Sequence, residues 1–300
     1  KAVDAFKKGA LKSGRLPQVE KENNIQQIFE NLRLTKDGQL KRSAVLLFGK
    51  DPRNFCINAY VKIGKFGKSD DDLLSQEVIE GNAFQLANQT LEILDKKYLT
   101  KTISYEGIHR IETTEYPYEA IRETLLNAIV HRQYSGAAIQ ISLYDDKIMV
   151  WNFGTLPEPM TFEDLKHKHA SHPRNPILAD VFFKGGLIES WGRGTLKIID
   201  ECKSAGLPTP EIAEGGIVVT IYKDIYNEKH LAKLDLSERQ LKAVLFVKEK
   251  KSISNSEYQV LCDVSKPTAT RDLTELSEKH KLLERMGDVG AGTVYKLIGS

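Results

Sequence analysis

Residues 117–131, PYEAIRETLLNAIVH, constrain this chain more than any other stretch, because Glu123, Asn127 and His131 stand four residues apart in it. On an α-helix each such step turns the side chain by about 40°, so the three would form one slanting row. Ile121, Thr124, Leu125, Ala128 and Ile129 lie beside and between them and supply an apolar face. One helix would then turn its greasy side to a core and hold a carboxylate, an amide and an imidazole in line beside it. A carboxylate can orient or deprotonate a water. An amide oxygen one turn on can join a Mg²⁺ shell without adding charge. Polar residues at this spacing also describe a solvated helix face, so the row needs partners elsewhere in the chain before it counts as a site.

The later sequence offers such partners. Residues 138–144, AIQISLY, alternate; Asp145 and Asp146 suit a turn; residues 147–151, KIMVW, are a second run. Together they predict a hairpin that ends in a loop containing Asn152 and Gly154. Residues 185–199, GGLIESWGRGTLKII, place Gly192 and Gly194 at the opening of an amphipathic helix. That arrangement presents backbone N–H groups to a phosphate.

In this order of parts, residues 106–223 resemble the GHKL (Bergerat-type) ATPase fold, in the divergent form found in RecG-related transcriptional regulators, where it follows a Schlafen-AlbA domain. The resemblance implies ATP and Mg²⁺ as cofactors. It makes Glu123 the catalytic general base for water and Asn127 the magnesium ligand, with His131 completing the row. The family's second motif, Asp-x-Gly-x-Gly, falls on Asn152 and Gly154. The Asp that reads the adenine amino group is an Asn here, and the second Gly is missing. An amide presents donor and acceptor rather than a pure acceptor, which alters adenine selectivity. Gly192 and Gly194 match the glycine pair at the end of the lid, so the nucleotide would lie between the Glu123 helix and a lid at residues 162–194. Residues 171–176, SHPRNP, match a Ser-x-Pro-Arg-Asn-Pro-like segment of the same regulators, in which Arg174 would meet phosphate charge. Asn175 and Pro176 also suffice to start a helix at 177–183. The close histidines His167, His169 and His172 lack a nearby Cys and sit among lysines, which fits a lid loop better than a metal centre.

Composition bounds the rest. Three hundred residues allow two or three domains, and a net charge of +2 with interspersed signs excludes a polybasic chain. No apolar stretch approaches the roughly 18 residues of a membrane span. Cys56, Cys202 and Cys262 are far apart and odd in number, as expected of reduced thiols in a cytoplasmic protein. A start at Lys1 with no signal-type segment suggests a fragment of something longer.

Before residue 106 the pattern is mixed. A short helix is predicted over 25–32, a turn at 36–38, a buried segment over 43–48 and a strand over 56–63. A long helix is predicted from Asp70 toward Tyr98, with its acidic start suited to the helix dipole. Residues 44–52, AVLLFGKDP, resemble the C-terminal part of the Schlafen-AlbA region. Residues 64–69, GKFGKS, imitate the end of a phosphate-binding P-loop. The required first Gly is absent, since position 62 is Lys, and three aspartates follow. A motor helicase is therefore not expected.

Residues 237–300 predict helix, helix, tight turn, helix and β-hairpin, the order of a winged helix-turn-helix. Residues 264–276 are similar to recognition helices of many bacterial regulators. Thr268, Thr270 and Arg271 would meet base edges, Lys266 a phosphate, and Arg285 and Lys296 would belong to the wing. With 11 basic and 10 acidic residues between 235 and 300, the electrostatic footprint is weak, and protein contact is the competing use of such a module. The expected architecture is α+β multidomain. Residues 1–105 would be the C-terminal part of a Schlafen-AlbA region with a connecting helix, 106–226 the GHKL-like α/β sandwich, 227–236 a linker and 237–300 the winged helix. The expected function is a DNA-binding transcriptional regulator, a homodimer on double-stranded DNA, modulated by nucleotide. The alternatives are a slow Mg-dependent ATPase in a DNA-associated machine, and a scaffold without nucleotide.

Overall fold

Local signals account for the first elements of the structure, a computed structural model that describes residues 2–20, 22, 24–67, 69–106, 109–189, 192–224, 226, 231, 232, 234–287 and 293–298. Helix α1, Ala2–Ser13, turns Phe6 and Ala10 inward. Helix α2, Ile25–Asn31, begins where the Asn24 side chain accepts the Gln26 N–H. Asp37 and Gly38, both at positive φ, make a two-residue turn between strands β1, Thr35–Lys36, and β2, Gln39–Leu40. Helix α3, Arg42–Phe48, is followed by strands β3, Tyr60–Phe66, and β4, Leu73–Glu80. Helix α4, Ala83–Ile93, runs on through a π turn at Leu94–Tyr98. Strands β5, Lys101–Glu106, and β6, His109–Thr114, form a hairpin of their own. Then come helix α5, Tyr118–His131, strands β7, Ile139–Leu143, and β8, Lys147–Asn152, helices α6, Pro176–Lys184, and α7, Gly194–Ser204, and strands β9, Glu211–Ala213, and β10, Ile217–Tyr222.

One prediction fails clearly. The long helix expected from Asp70 is half strand: β4 pairs antiparallel with β3 from Leu73 to Glu80. Gly81, at φ +131°, breaks the chain, and Asn82 starts α4. Asn82 accepts from the Gln85 N–H at 3.1 Å while Gln85 accepts from the Asn82 N–H at 3.0 Å. This reciprocal cap, spelled Asn-x-x-Gln, outweighs acidic residues placed twelve positions too early. The P-loop look-alike falls on the end of β3, with Lys68 outside the described residues, and no helix follows it. The strand expected over 56–63 begins only at Tyr60, and the segment expected to be buried at 43–48 is α3.

The chain divides into two compact units, residues 1–205 with 210–221, and residues 206–209 with 222–300. The first is a mixed α+β fold around a six-stranded sheet of order β4-β3-β7-β8-β10-β9. β3 and β7 run parallel, and Val61, Ile63, Ile139 and Ile141 are buried along their shared register. Strands from both sides of position 105 thus share one sheet. Phe6, Phe48, Phe84 and Phe182 join α1, α3, α4 and α6 through ring contacts of 5.2–6.1 Å. Helix α5 is the buried centre: Ala120, Ile121, Leu125, Leu126, Ala128, Ile129 and Val130 are all enclosed.

In the second unit, helix α8, Glu238–Lys250, carries a capping box between Ser237 and Gln240. Strand β11, Ile253–Ser254, leads into helix α9, Asn255–Cys262, itself boxed by Ser254 and Glu257. Asp263 at φ +51° turns the chain into helix α10, Lys266–Thr274. Strands β12, Leu283–Met286, and β13, Val294–Leu297, pair antiparallel, and β13 also pairs with β11. Ala243, Val244, Val247, Tyr258, Ala269, Leu273 and Leu276 form its core. Ser265 occupies the cap position of α10. Its hydroxyl, however, meets the Thr268 hydroxyl at 3.2 Å and makes no capping bond to the backbone. Residues 227–230 and 233 of the expected linker, and the tip of the hairpin at 288–292, lie outside the described residues.

Candidate functional site

Helix α5 places Glu123, Asn127 and His131 along one wall of a cavity in the first unit. Asn152, at the end of β8, and Gly192 and Gly194, at the start of α7, line the same cavity. Val150, Ile198 and Val219 provide an apolar floor, and His169 and His172 border it from the loop before α6.

The contact between α5 and α7 is close enough to explain a glycine. A methyl group on Gly194 would stand 2.6 Å from Glu123 Oε1 and 2.9 Å from Asn127 Nδ2. Gly192 sits at φ +63°, and a side chain there would strike the His169 carbonyl. The bare backbone at the N-terminus of α7 therefore lies directly over the carboxylate and the amide.

Glu123 is only 5% exposed. Burial raises its pKa, while Lys197 and Arg122 pull it back down. Lys197 itself is tied to Glu119 by an ion pair of 2.6 Å. His131 is pushed down to about 4 by burial, and by His169 and Arg174 nearby, so its imidazole is neutral at pH 7. Asn152 is 3% exposed, and its Nδ2 has no hydrogen-bond partner. Thr195 Oγ1, in the first turn of α7, is likewise buried without a partner and lines the cavity. Both residues line a cavity with apolar walls and keep a polar group unpaired, which suits a ligand with polar edges.

Two expected residues lie elsewhere. Gly154 and Arg174 do not line this cavity. The Arg174 guanidinium donates to the carbonyl and hydroxyl oxygens of Thr155 at 2.8 and 2.9 Å, outside the Glu123 wall. Asn175 has a fixing role: its Nδ2 donates to the carbonyls of Val130 and Arg132 at 2.8 Å, which holds the C-terminus of α5 against the start of α6. Thr195 and Lys197 were missed by the sequence reading; a hydroxyl residue directly after the glycine pair was the available signal. His167, His169 and His172 do not converge: among the described residues no three His, Cys, Asp or Glu side chains form a metal-sized group.

On the second unit, Lys266, Thr270, Arg271 and Arg285 are exposed, whereas Thr268 and Lys296 are half-buried. Thr270 already uses its hydroxyl, donating to the Lys266 carbonyl and accepting from Asn255. Arg285 and Lys296 both lie on the hairpin expected as the wing, on β12 and β13. Arg285 lies opposite Tyr295, and Glu284 opposite Lys296, so Arg285 and Lys296 point to opposite faces of the hairpin. Asp272 is 2% exposed. It accepts from Arg239 and from the Tyr258 hydroxyl, both at 3.0 Å.

Residues 136–222 match the family model described as "Putative ATP-dependent DNA helicase recG C-terminal". The match spans β7 to β10 with Gly192 and Gly194, and begins after the helix that carries Glu123 and Asn127. The crystal structure of the DIP2311 protein from Corynebacterium diphtheriae is similar to this chain at a TM-score of 0.57 and 19% identity, over 98% of this chain and 61% of that one. At that identity the likeness is one of fold, and this chain spans about three fifths of that protein's length. No curated protein matches the chain in sequence. No helix among the described residues is long and apolar enough to cross a membrane. Residues 136–222 are thus similar to an ATPase-like domain related to the RecG C-terminus, carried in a mixed α+β fold.

Proposed function

We propose that the first unit binds a nucleotide, ATP with Mg²⁺, in the Glu123 cavity, and that the chain is a regulator whose second unit binds duplex DNA. The observation that carries the nucleotide reading is the packing of Gly194 against both Glu123 and Asn127. Residues 71 positions apart make one wall there, with a helix N-terminus laid over a carboxylate and an amide. Asn127 would hold the cation, and bound magnesium would neutralise phosphate charge. Asn152 and Thr195 would meet the base and its surroundings with their unpartnered atoms. Glu123, kept basic by burial, would take the proton of an attacking water.

In this reading residues 1–105 stand where the related regulators carry a Schlafen-AlbA region, and the second unit is a winged helix on a homodimer. Arg271 and Lys266, exposed near the start of α10, would face the DNA. A scaffold that binds no nucleotide is the second reading, favoured by Asn152 and by the missing second glycine of that motif. Turnover of ATP separates an enzyme from a ligand-gated binder. Glu123→Gln keeps shape and loses basicity, so it should abolish any hydrolysis and leave binding nearly intact. Equal turnover in both proteins would remove Glu123 from the role of base.

A further inference from the structure

A second cavity of about 610 Å³ lies in the first unit, where the N-terminus of α6 meets α3, the segment from α3 to β3 and the residues that follow α5. Arg42, Ser43, Phe55, Tyr134, Arg174 and Ile177 line it, and no Asp or Glu does. Its charge is one-sided. Arg42 makes no hydrogen bond or ion pair among the described residues. Arg174 is held only by the uncharged oxygens of Thr155. Next to the lining residue Asn58, Arg132 is fully buried; its Nη2 donates to the carbonyls of Asn58 and Ala137 at 2.9 and 2.8 Å, and its Nε and Nη1 have no partner. Arg42 and Arg174, lining the cavity with no Asp or Glu beside them, leave it positive.

Two further features point to an anion. Ser43 lines the cavity at 9% exposure, and its hydroxyl has no partner. Helix α6, nine residues long, opens onto the cavity with no side-chain cap, because Asn175 directs its amide to the end of α5 instead. The first N–H groups of α6 therefore face the same space as Arg42 and Arg174. At the rim Phe55 is 69% exposed, an unusual place for a bare ring.

We propose that this cavity is a second site, distinct from the Glu123 cavity, that takes the phosphate monoester of a small molecule. The phosphate sits at the α6 N-terminus between Arg42 and Arg174, with Ser43 donating to it, and the ligand's apolar body rests on Phe55 and Tyr134. Arg174, expected from sequence at the nucleotide phosphates, serves here instead.

Calorimetric titrations of the full chain with phenyl phosphate, inorganic phosphate and hexathymidylate without a terminal phosphate test this. Phenyl phosphate is expected to bind about tenfold tighter than inorganic phosphate, an advantage that Phe55→Ala removes. Arg42→Gln and Ser43→Ala are each expected to weaken both phosphates by about fivefold or more while the melting curves show folded protein. The proposal is overturned if neither phosphate binds at about 10 mM. It is equally overturned if both variants bind as the parent does, or if hexathymidylate binds tighter than phenyl phosphate, which would make the surface one for nucleic-acid backbone.

Discussion

Gly194 is the residue on which the proposed nucleotide site turns. Its absent side chain lets α7 come down onto Glu123 and Asn127. Gly194→Ala should cost about 1–3 kcal/mol of stability through overpacking, read by denaturant titration, and should lose nucleotide binding while the protein remains folded. An alanine variant that binds nucleotide as the parent does would show that the close approach is incidental. His131 supplies a second test. Its folded pKa of about 4 lies below the ordinary histidine value near 6.5. Between those two pH values the unfolded chain binds the extra proton, so stability is fully present above about pH 6.5 and is lost as pH falls toward 4. Replacing His131 by Gln should flatten this dependence by up to about 3 kcal/mol across the window. An unchanged slope would mean that His131 is hydrated in the folded protein. At this scale the sequence was informative where residues lie on one element: the row Glu123, Asn127, His131 follows from four-residue spacing alone. It was silent about Asn152 Nδ2 and Thr195 Oγ1, because a missing hydrogen-bond partner depends on what the rest of the chain brings near.

Elements with a complete local code were readable, and those without one were not. Helix α8 follows from Ser237 and Gln240, and the β7–β8 hairpin from strict alternation about Asp145 and Asp146. The segment after Asp70 went astray because β4 exposes Leu73, Leu74 and Val78, so its apolar pattern carries no core-facing period. Helix α10 shows both outcomes. Its placement was legible; the burial of Asp272 against Arg239 and Tyr258 was not. In the DNA-binding reading, Arg271→Ala should cost about 1–3 kcal/mol on a selected duplex and relax its sequence preference. Lys266→Ala should weaken all duplexes alike and flatten the salt dependence. The duplex comes from sequencing DNA retained from a random pool. A pool with no enriched sequence, together with no binding to bulk DNA at low salt, would make the second unit a protein-contact module.

For the whole molecule, the pairing least visible in the sequence is the parallel one between β3 and β7, from Val61–Ile139 to Lys65–Leu143. Nothing local announces a partner more than seventy positions away, and it is this pairing that draws residues before 105 into the sheet of the ATPase-like domain. The sheet in turn sets α5 and α7 against each other and so creates the Glu123 cavity. The central claim is that this cavity binds nucleotide, and the most direct measurement is a calorimetric titration of the intact chain with ATP, with and without Mg²⁺, beside Asn127→Ala. Saturable heat is predicted for the parent, stronger with Mg²⁺, and Asn127→Ala should lose the Mg²⁺-dependent part. No heat from millimolar ATP, ADP or GTP with folded protein would contradict the account and leave the ATPase-like fold as a scaffold.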